Sequence, residues 1–190
     1  IDGKKMSKSL GNGVDPVHLA HKYGVDSLRY YVLRKIPFGQ DGDFSESVLS
    51  EAHNNELANK LGNLVLRVST LAEKYGLEET EVLNSKEVFA KVGEHFEKFE
   101  IDKALNEIFS FIDRLNEYVQ GKKPWETKDK KVLYQLANGI KDVVILLSPF
   151  IPETCEKIAK SFDFDISLKS FNAPLKKGKI KKAEVLFRKI

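Results

Sequence analysis

The sequence predicts an all-α protein in which an antiparallel helix bundle follows a small N-terminal segment and precedes an irregular C-terminal tail. From Ser45 onward, apolar residues recur at spacings of three and four over long stretches, as they do in amphipathic helices. Asp, Gly and Pro residues separate these stretches at positions that start or stop helices. At 190 residues and 42% hydrophobic content, the chain is long enough to bury one shared core.

The composition excludes several classes of protein. A single Cys excludes a disulfide framework and a Cys-rich zinc site, and it fits a reducing compartment, so we predict a cytoplasmic protein. The longest apolar stretch, residues 143–147, is far shorter than the ~20 residues of a membrane span, so no membrane partner is expected. The chain shows no signal peptide and begins with Ile1 instead of Met, which we interpret as a processed product or the later part of a longer protein.

The N-terminal region is predicted to hold a loop and two short helices. Residues 1–13 are rich in Lys, Ser and Gly and are expected to form a loop. Asp15 and Pro16 predict the N-cap and first position of a helix. Asp26 is expected to cap a second short helix, which ends before the turn-rich connector at residues 37–43.

Five longer amphipathic helices are predicted to form the bundle. The first runs from about Glu46 to Tyr75 and is closed by Gly76. Its apolar residues share one stripe at about 100° per residue. They are Leu57, Leu61, Leu64, Val65, Val68, Leu71 and Ala72.

The other four helices follow with short connections. The second begins at Asn84, and the third runs from Asp102 to Gly121, its predicted stop. The fourth ends at Pro149 and the fifth follows Pro152. Such an order favours consecutive helices that alternate in direction around one core.

One pentapeptide near the N-terminus suits the binding of a polyphosphate. Two Lys residues flank small hydroxyl residues in the run Lys5-Met6-Ser7-Lys8-Ser9, and glycines lie on both sides. Ammonium groups on flexible stems can follow negative charge as it moves onto a leaving phosphate. The alternative is a solvated Lys/Ser loop without a ligand.

This pentapeptide resembles the KMSKS loop of class I aminoacyl-tRNA synthetases. The stretch from Leu33 to Ser45 resembles the methionyl-tRNA synthetases in particular, and the resemblance extends over nearly the whole chain. It implies that Lys8, assisted by Lys5, contacts ATP phosphates and stabilises the transition state of methionine adenylation. It also implies that Met6, Ser7 and Ser9 complete the ATP-binding loop, with Mg²⁺ accompanying the ATP.

The resemblance also indicates what this chain lacks. The family's nucleotide-binding half carries a His-x-Gly-His motif, which does not occur in this sequence. We therefore expect the chain alone to be inactive as a methionine–tRNA ligase. Methionine and ATP would be bound through the missing half, upstream or in a separate chain, and tRNA(Met) is the expected macromolecular partner.

The net charge of +3 is unevenly distributed. The last 15 residues hold seven basic residues and one acidic residue, so the rest of the chain has a net charge of −3. An RNA partner must then be held by a few placed groups and not by a general positive field. The basic run at the end could also be a solvated terminus.

Two positions on the first long helix are candidates for reading a base. Asn63 and Arg67 lie four residues apart and off the apolar stripe, so an amide and a guanidinium could address one nucleotide. Polar residues on the outer face of a helix are, however, the default.

Trp125, the only Trp, follows Pro124 and two Lys residues in a predicted loop. It could stack on an unpaired base or plug the end of the bundle. Methionyl-tRNA synthetases read the CAU anticodon with an Asn-Leu-x-x-Arg pattern and a Trp after Pro. The resemblance therefore implies that Asn63, Arg67 and Trp125 contact the anticodon, with Pro124 shaping the loop.

The remaining candidates for chemistry are weaker. His18 and His21 are expected at the surface, and His53 and His95 have no obvious partners in the sequence. Cys155 is expected in the core. No metal site is expected, because metal-ligating carboxylates or thiols are absent near the histidines and the family's zinc knuckle lies upstream.

We predict three regions along the chain. Residues 1–44 form the KMSKS loop and connector, residues 45–162 the α-helical anticodon-binding domain, and residues 163–190 a tail that packs back on the body. The tail is expected to be irregular, with one short strand near residues 184–187. Two alternatives stay open: a stand-alone tRNA-binding module, or the same part of a class I synthetase for Ile, Val, Leu or Cys.

Overall fold

The computed structural model describes residues 1, 3, 6–7, 13–176 and 179–190. Within these residues the chain is helical and contains no strand, which confirms the all-α prediction. The helices are α1 (Pro16–Tyr23), α2 (Val25–Lys35), α3 (Glu46–Ala52), a π-helical segment (His53–Gly62), α4 (Asn63–Tyr75), α5 (Lys86–Glu97), α6 (Ile101–Lys122), α7 (Pro124–Thr127), α8 (Lys130–Leu147), α9 (Pro152–Phe162) and a 3-10 turn (Leu168–Ser170). None of them is long and apolar enough to cross a membrane.

The long helices of the bundle alternate in direction along the chain. A tight turn joins α5 to α6, and Lys91 of α5 lies 3.9 Å from Glu107 of α6, so these two helices run antiparallel. The π-helical segment lies beside α6, where Lys60 pairs with Asp113 at 2.7 Å, and α4 packs on α8. The shared core comes from the apolar faces of α4, α5, α6, α8 and α9, as the spacing predicts.

The short helix α1 begins as predicted, but the capping of α2 is different. Asp15 accepts a hydrogen bond from the Val17 N–H at 2.9 Å, and Gly24, at φ 86°, ends α1. Since α2 starts directly after this glycine, Asp26 falls inside its first turn and does not cap it. Asp26 is buried and instead accepts a hydrogen bond from the Thr154 N–H at 2.6 Å, at the start of α9. A carboxylate is favourable at that helix N-terminus, so Asp26 caps a helix 128 residues away in the chain.

The end of α6 also differs from the prediction. Gly121 lies inside the helix, which continues to Lys122 and ends where Lys123 adopts a left-handed conformation at φ 45°. A proline disfavours the right-handed helical conformation of the residue before it. Pro124 therefore ends α6 at Lys122, one residue beyond Gly121. Pro124 then starts the short helix α7 in place of the predicted loop.

Helix α8 is the central helix of the bundle. It is buried on nearly every side from Val132 to Leu147, including its polar residues Asn138, Lys141 and Asp142. These three side chains bind the backbone of the tail: Asn138 accepts from the Leu175 N–H, Asp142 accepts from the Asn172 N–H, and Lys141 donates to the Ser170 carbonyl. The run of apolar residues at 143–147 already indicates a helix without a solvent face.

The α3 helix, the π-helical segment and α4 form one continuous long helix over residues 46–75. The end of the chain lies along this long helix without forming a strand. The Lys182 and Ala183 N–H groups donate to the side chains of Glu73 and Ser69, at 3.1 and 3.0 Å. Further on, Ile190 exchanges two hydrogen bonds with the side chain of Asn54. The strand predicted near residues 184–187 is therefore wrong: this segment has no strand structure, and the N–H groups on either side of it donate to helix side chains.

Candidate functional site

The long helix presents Asn63 and Arg67 on one side, one turn apart. Leu64, Val65 and Val68 are fully buried and hold α4 against the core. With that face inward, Asn63 is exposed and Arg67 is half-buried at the surface. The spacing of four residues thus places the amide and the guanidinium next to each other at the edge of the bundle.

Trp125 reaches the same edge from α7. This short helix lies between Lys123 and Lys128, both in the left-handed conformation, and its first residue, Pro124, is buried. Trp125 is 36% exposed, and its Nε1 donates to the Glu126 carboxylate at 3.3 Å. Pro124, and not Trp125, is thus the residue of α7 that is buried against the bundle.

The three predicted side chains meet in one open pocket of about 470 Å³. The Arg67 Cζ atom lies 5.7 Å from the centre of the Trp125 ring, in cation–π contact. Further lining residues are Leu66, Thr70 and Leu71, which the sequence analysis did not assign to the site.

The extra lining residues follow from the same helical period. Leu66 and Thr70 lie three residues after Asn63 and Arg67 and therefore on the same side of α4. The Thr70 hydroxyl donates to the Leu66 carbonyl at 2.6 Å, so it already has a partner within α4. Leu71 belongs to the predicted core stripe, but it is only half-buried and lines the pocket.

This arrangement can hold an unpaired nucleobase. An exposed indole face offers a stacking surface, while an amide and a guanidinium beside it offer donors and one acceptor for a base edge. Leu66 and Leu71 contribute apolar walls to the pocket.

The N-terminal motif is only partly described. Lys5, Lys8 and Ser9 lie outside the described residues, whereas Met6 is exposed and Ser7 is half-buried. Next to them, the Gly3 N–H donates to the Asp43 carboxylate at 2.8 Å, which ties this segment to the connector before α3.

A polar network joins α2 to the part of the long helix around Glu56, which we call its lower end. Glu56 accepts hydrogen bonds from the Tyr30 hydroxyl and from Arg34 Nε, the latter at 3.2 Å. Burial, followed by the charge of Glu56, raises the pKa of Tyr30. The phenol therefore stays protonated and serves as a donor.

The histidines and the cysteine singled out in the sequence differ in their exposure and in their partners. His18 and His21 are exposed, and Cys155 is fully buried, as expected; burial raises the pKa of its thiol. The expectation for His53 is wrong, because its ring contacts the Ser27 hydroxyl at 2.9 Å and the Arg188 carbonyl at 2.7 Å.

His95 also has a partner, Glu100, at 2.7 Å. The partners of both histidines come from turns and distant segments, which the local sequence does not reveal. Over the described ranges, no three His, Cys, Asp or Glu side chains cluster as a metal site.

Two known protein families match this chain, one over its N-terminal part and one over the rest. Residues 1–69 match the class I (M) tRNA synthetases, and residues 84–189 match the anticodon-binding domain of tRNA ligases.

Curated relatives match over the full length of the chain. The methionine–tRNA ligase of Clostridium acetobutylicum is 38% identical over 100% of this chain, which covers 33% of that protein. The Bacillus subtilis methionine–tRNA ligase is 36% identical over 100% of the chain and 32% of its own length. The chain thus spans about a third of these relatives.

Solved structures have the same fold. Methionyl-tRNA synthetase of Mycobacterium tuberculosis bound by methionyl-adenylate superposes with a TM-score of 0.88 at 28% identity, over 97% of this chain and 42% of that chain. Its free form gives a TM-score of 0.84 at 26% identity, over 93% and 41% of the two chains. The chain therefore belongs to the methionyl-tRNA synthetase family of class I tRNA synthetases, of which it holds a class I segment and the anticodon-binding domain.

Proposed function

We propose that this chain is the anticodon-reading part of a methionine–tRNA ligase and that Asn63, Arg67 and Trp125 bind the CAU anticodon of tRNA(Met). The observation that supports this most strongly is the meeting of these three side chains in one open pocket, although they come from segments almost 60 residues apart. The names of the relatives support tRNA(Met) as the partner.

Each side chain has a separate task in this proposal. The Trp125 ring stacks on one unpaired base, which is worth about 1–3 kcal/mol. The Asn63 amide pairs with a base edge because it has both donors and an acceptor. Arg67 supplies positive charge at the site, and Pro124 holds the loop that carries the indole.

A binding experiment tests this assignment. Anticodon stem-loops bearing CAU and GAU are titrated against the wild-type chain and Trp125→Ala. We expect the wild type to prefer CAU and the variant to bind CAU about 10- to 100-fold more weakly, the loss of one base stack. Phe38→Ala, which removes an exposed aromatic ring from the connector, is the matched control and should bind as the wild type does.

The same titration weighs the alternatives. Equal affinity for CAU and GAU would favour the corresponding part of another class I synthetase. Unchanged CAU affinity in Trp125→Ala would show that the indole only supports the fold.

We also propose that the loop Lys5-Met6-Ser7-Lys8-Ser9 binds the phosphates of ATP, accompanied by Mg²⁺, during methionyl-adenylate formation. The match of residues 1–69 to the class I (M) synthetases supports this role. Lys8, with Lys5, would stabilise charge that develops on the departing pyrophosphate. Methionine and the rest of ATP would be bound by a nucleotide-binding half outside this chain.

Exchange of pyrophosphate into ATP tests the catalytic proposal. The isolated chain should show no methionine-dependent exchange, and addition of a polypeptide with the nucleotide-binding half should restore it. Lys8→Ala should abolish the restored exchange while CAU binding persists. If Lys8→Ala keeps full exchange, the alternative of a tRNA-binding module without a catalytic role is favoured.

These roles divide the chain into three parts in our proposal. Residues 1–44 serve the catalytic domain, residues 45–162 bind the anticodon, and residues 163–190 brace the body. The hydrogen bonds from Asn138, Lys141 and Asp142 to the backbone of residues 170–175 support the bracing role.

A further inference from the structure

The helix that carries Asn63 and Arg67 changes its winding just before them. Residues His53–Gly62 are π-helical, and Asn63 is the first residue of α4. A π turn closes its hydrogen bond over five residues instead of four, so it holds more residues than an α turn. The side on which Asn63 and Arg67 emerge, relative to α3, therefore depends on where the π-helical segment ends.

Two side chains of α6 hold the last turn of this segment. Asn116 Nδ2 donates to the Lys60 carbonyl at 3.2 Å and to the Ile112 carbonyl of its own helix at 3.0 Å. One turn earlier, Asp113 pairs with Lys60 Nζ at 2.7 Å. Lys60 is thus fixed to α6 through both its backbone and its side chain.

The carbonyl bound by Asn116 belongs to the junction itself. The Asn63 N–H donates to the carbonyls of Ala58 and Lys60, the first in the π and the second in the tighter pattern. The amide of Asn116 and the backbone N–H of Asn63 therefore meet at one oxygen atom. A change at Asn116 acts on the residue that starts the recognition face.

Helix α6 also positions the opposite wall of the pocket. It ends at Lys122, the Lys123 N–H donates to the Val119 carbonyl at 3.0 Å, and Trp125 follows in α7. The same helix thus holds Asn63 and Arg67 through Lys60 and holds Trp125 through its own C-terminus.

We propose that Asn116 is a positioning residue for the anticodon pocket: it holds the π-to-α junction at Lys60 in the winding that turns Asn63 and Arg67 toward Trp125. Its effect on RNA reading rests on the function proposed above. Its effect on the distance between Arg67 and Trp125 does not, so the two can be tested separately.

The first test needs no RNA. Trp125 is the only Trp, so the emission spectrum of the chain reports its surroundings. Arg67→Gln removes the guanidinium from the indole and provides the reference spectrum. Asn116→Asp keeps the size of the side chain but loses the amide donor, and it should shift the emission toward that reference.

A matched variant controls for a general effect of the substitution. Asn106→Asp lies on the same helix at its other end, near Arg34, and should leave the emission as in the wild type. Circular dichroism confirms that each variant is folded at the temperature used. Wild-type emission in folded Asn116→Asp would overturn the proposal.

The second test uses the CAU and GAU stem-loops. Asn116→Asp should lower the ratio of the CAU affinity to the GAU affinity by about tenfold. This factor corresponds to the loss of one hydrogen bond, here the one to the Lys60 carbonyl. Asn116→Gln retains an amide on a longer side chain and should recover part of the preference. A purely structural role would lower the unfolding temperature without changing the ratio of the two affinities.

The outcomes separate the two proposals. If the wild type does not prefer CAU, the proposed function fails, while the emission spectra still decide the role of Asn116. If Asp113→Asn shifts the emission as much as Asn116→Asp does, the ion pair holds the junction and the assignment to the amide is wrong. A preference for CAU that is unchanged in folded Asn116→Asp would also overturn it.

Discussion

Two parts of the long helix use polar residues in opposite ways: the lower end around Glu56 and the upper end around Asn63 and Arg67. At the lower end, Glu56 accepts hydrogen bonds from Tyr30 and Arg34 of α2, and both partners of the ion pair are less than one-fifth exposed. At the upper end, Asn63 and Arg67 face an open pocket. A polar side chain on a helix therefore becomes structural, or stays available for a ligand, according to what the fold packs against it.

The largest expected effect is on stability, at the lower end. Glu56→Ala leaves the half-buried guanidinium of Arg34 without its carboxylate, so we expect the free energy of unfolding to fall by about 2–3 kcal/mol. Urea denaturation followed by circular dichroism measures this. Glu51→Ala, an exposed position in α3, is the control and should change stability by less than about 0.5 kcal/mol. Equal midpoints for the two variants would remove the contrast between the ends.

The upper end should show the reverse behaviour. Asn63→Ala should leave the free energy of unfolding within about 0.5 kcal/mol of the wild type, because the side chain is exposed. Its affinity for the CAU stem-loop should fall by about 1–2 kcal/mol, since hydrogen bonds to the base are lost. Fluorescence titration measures the affinity, with Ser110→Ala on the exposed face of α6 as the control. A loss of stability with unchanged affinity would mean that Asn63 is structural.

The buried phenol at the lower end predicts a pH dependence. The pKa of Tyr30 is raised, because burial and the charge of Glu56 disfavour the phenolate. Its contribution to stability is therefore complete below the unfolded pKa of about 10 and is lost as the pH rises above that value. We expect a loss of about 1 kcal/mol for the first pH unit above 10.

Tyr30→Phe isolates this contribution. Urea midpoints measured between pH 8 and pH 11 should fall more steeply for the wild type than for the variant, since other tyrosines titrate in both. Parallel curves would show that Tyr30 does not titrate differently in the folded and unfolded states.

The smallest effect is expected between the two ends, at the ion pair of Lys60 and Asp113. Both side chains are about 40% exposed (40% and 43%), so Asp113→Asn should cost less than about 1 kcal/mol. The difference should vanish in 1 M salt, which screens surface charges. Thermal unfolding at low and high salt measures it, and a cost that persists in high salt would indicate a role beyond the ion pair.

The local signals in the sequence predicted most helix boundaries. Asp15, Pro149 and Pro152 act within one or two turns of their own position, so their effect does not depend on the rest of the fold. Gly121 was misassigned as a stop because Pro124, three residues later, imposes a stronger constraint.

The π-helical segment could not be predicted from the apolar spacing. A constant 100° per residue fits Leu57, Leu61 and Leu64 well enough to hide the change in winding. Distant parts of the chain contact this segment, among them the Arg188 carbonyl at the His53 ring and Asn116 at the Lys60 carbonyl. The two residues of each contact are 135 and 56 positions apart in the sequence, respectively, so no local pattern reveals these contacts.

The candidate site divides in the same way. The resemblance to methionyl-tRNA synthetases, through the Asn-Leu-x-x-Arg pattern and the Pro-Trp pair, identifies Asn63, Arg67 and Trp125 as candidates, whereas spacing alone leaves an ordinary polar helix face as the alternative. Their meeting in one pocket, with Leu66 and Thr70 as further walls, depends on tertiary packing: α4 and α7 both pack on α8, and the π-helical segment lies beside α6.

The helical class and most of the helix boundaries follow from the amino-acid sequence alone, because periodicity and capping act over a few residues, and the candidate site follows from the family resemblance of its motifs. Which polar residues are used internally depends on the folded chain: Asp26 lies at the start of α9, Glu56 binds α2, and Lys141 binds the tail. A buried polar group must find a partner, and distant parts of the chain supply the partners of these three groups.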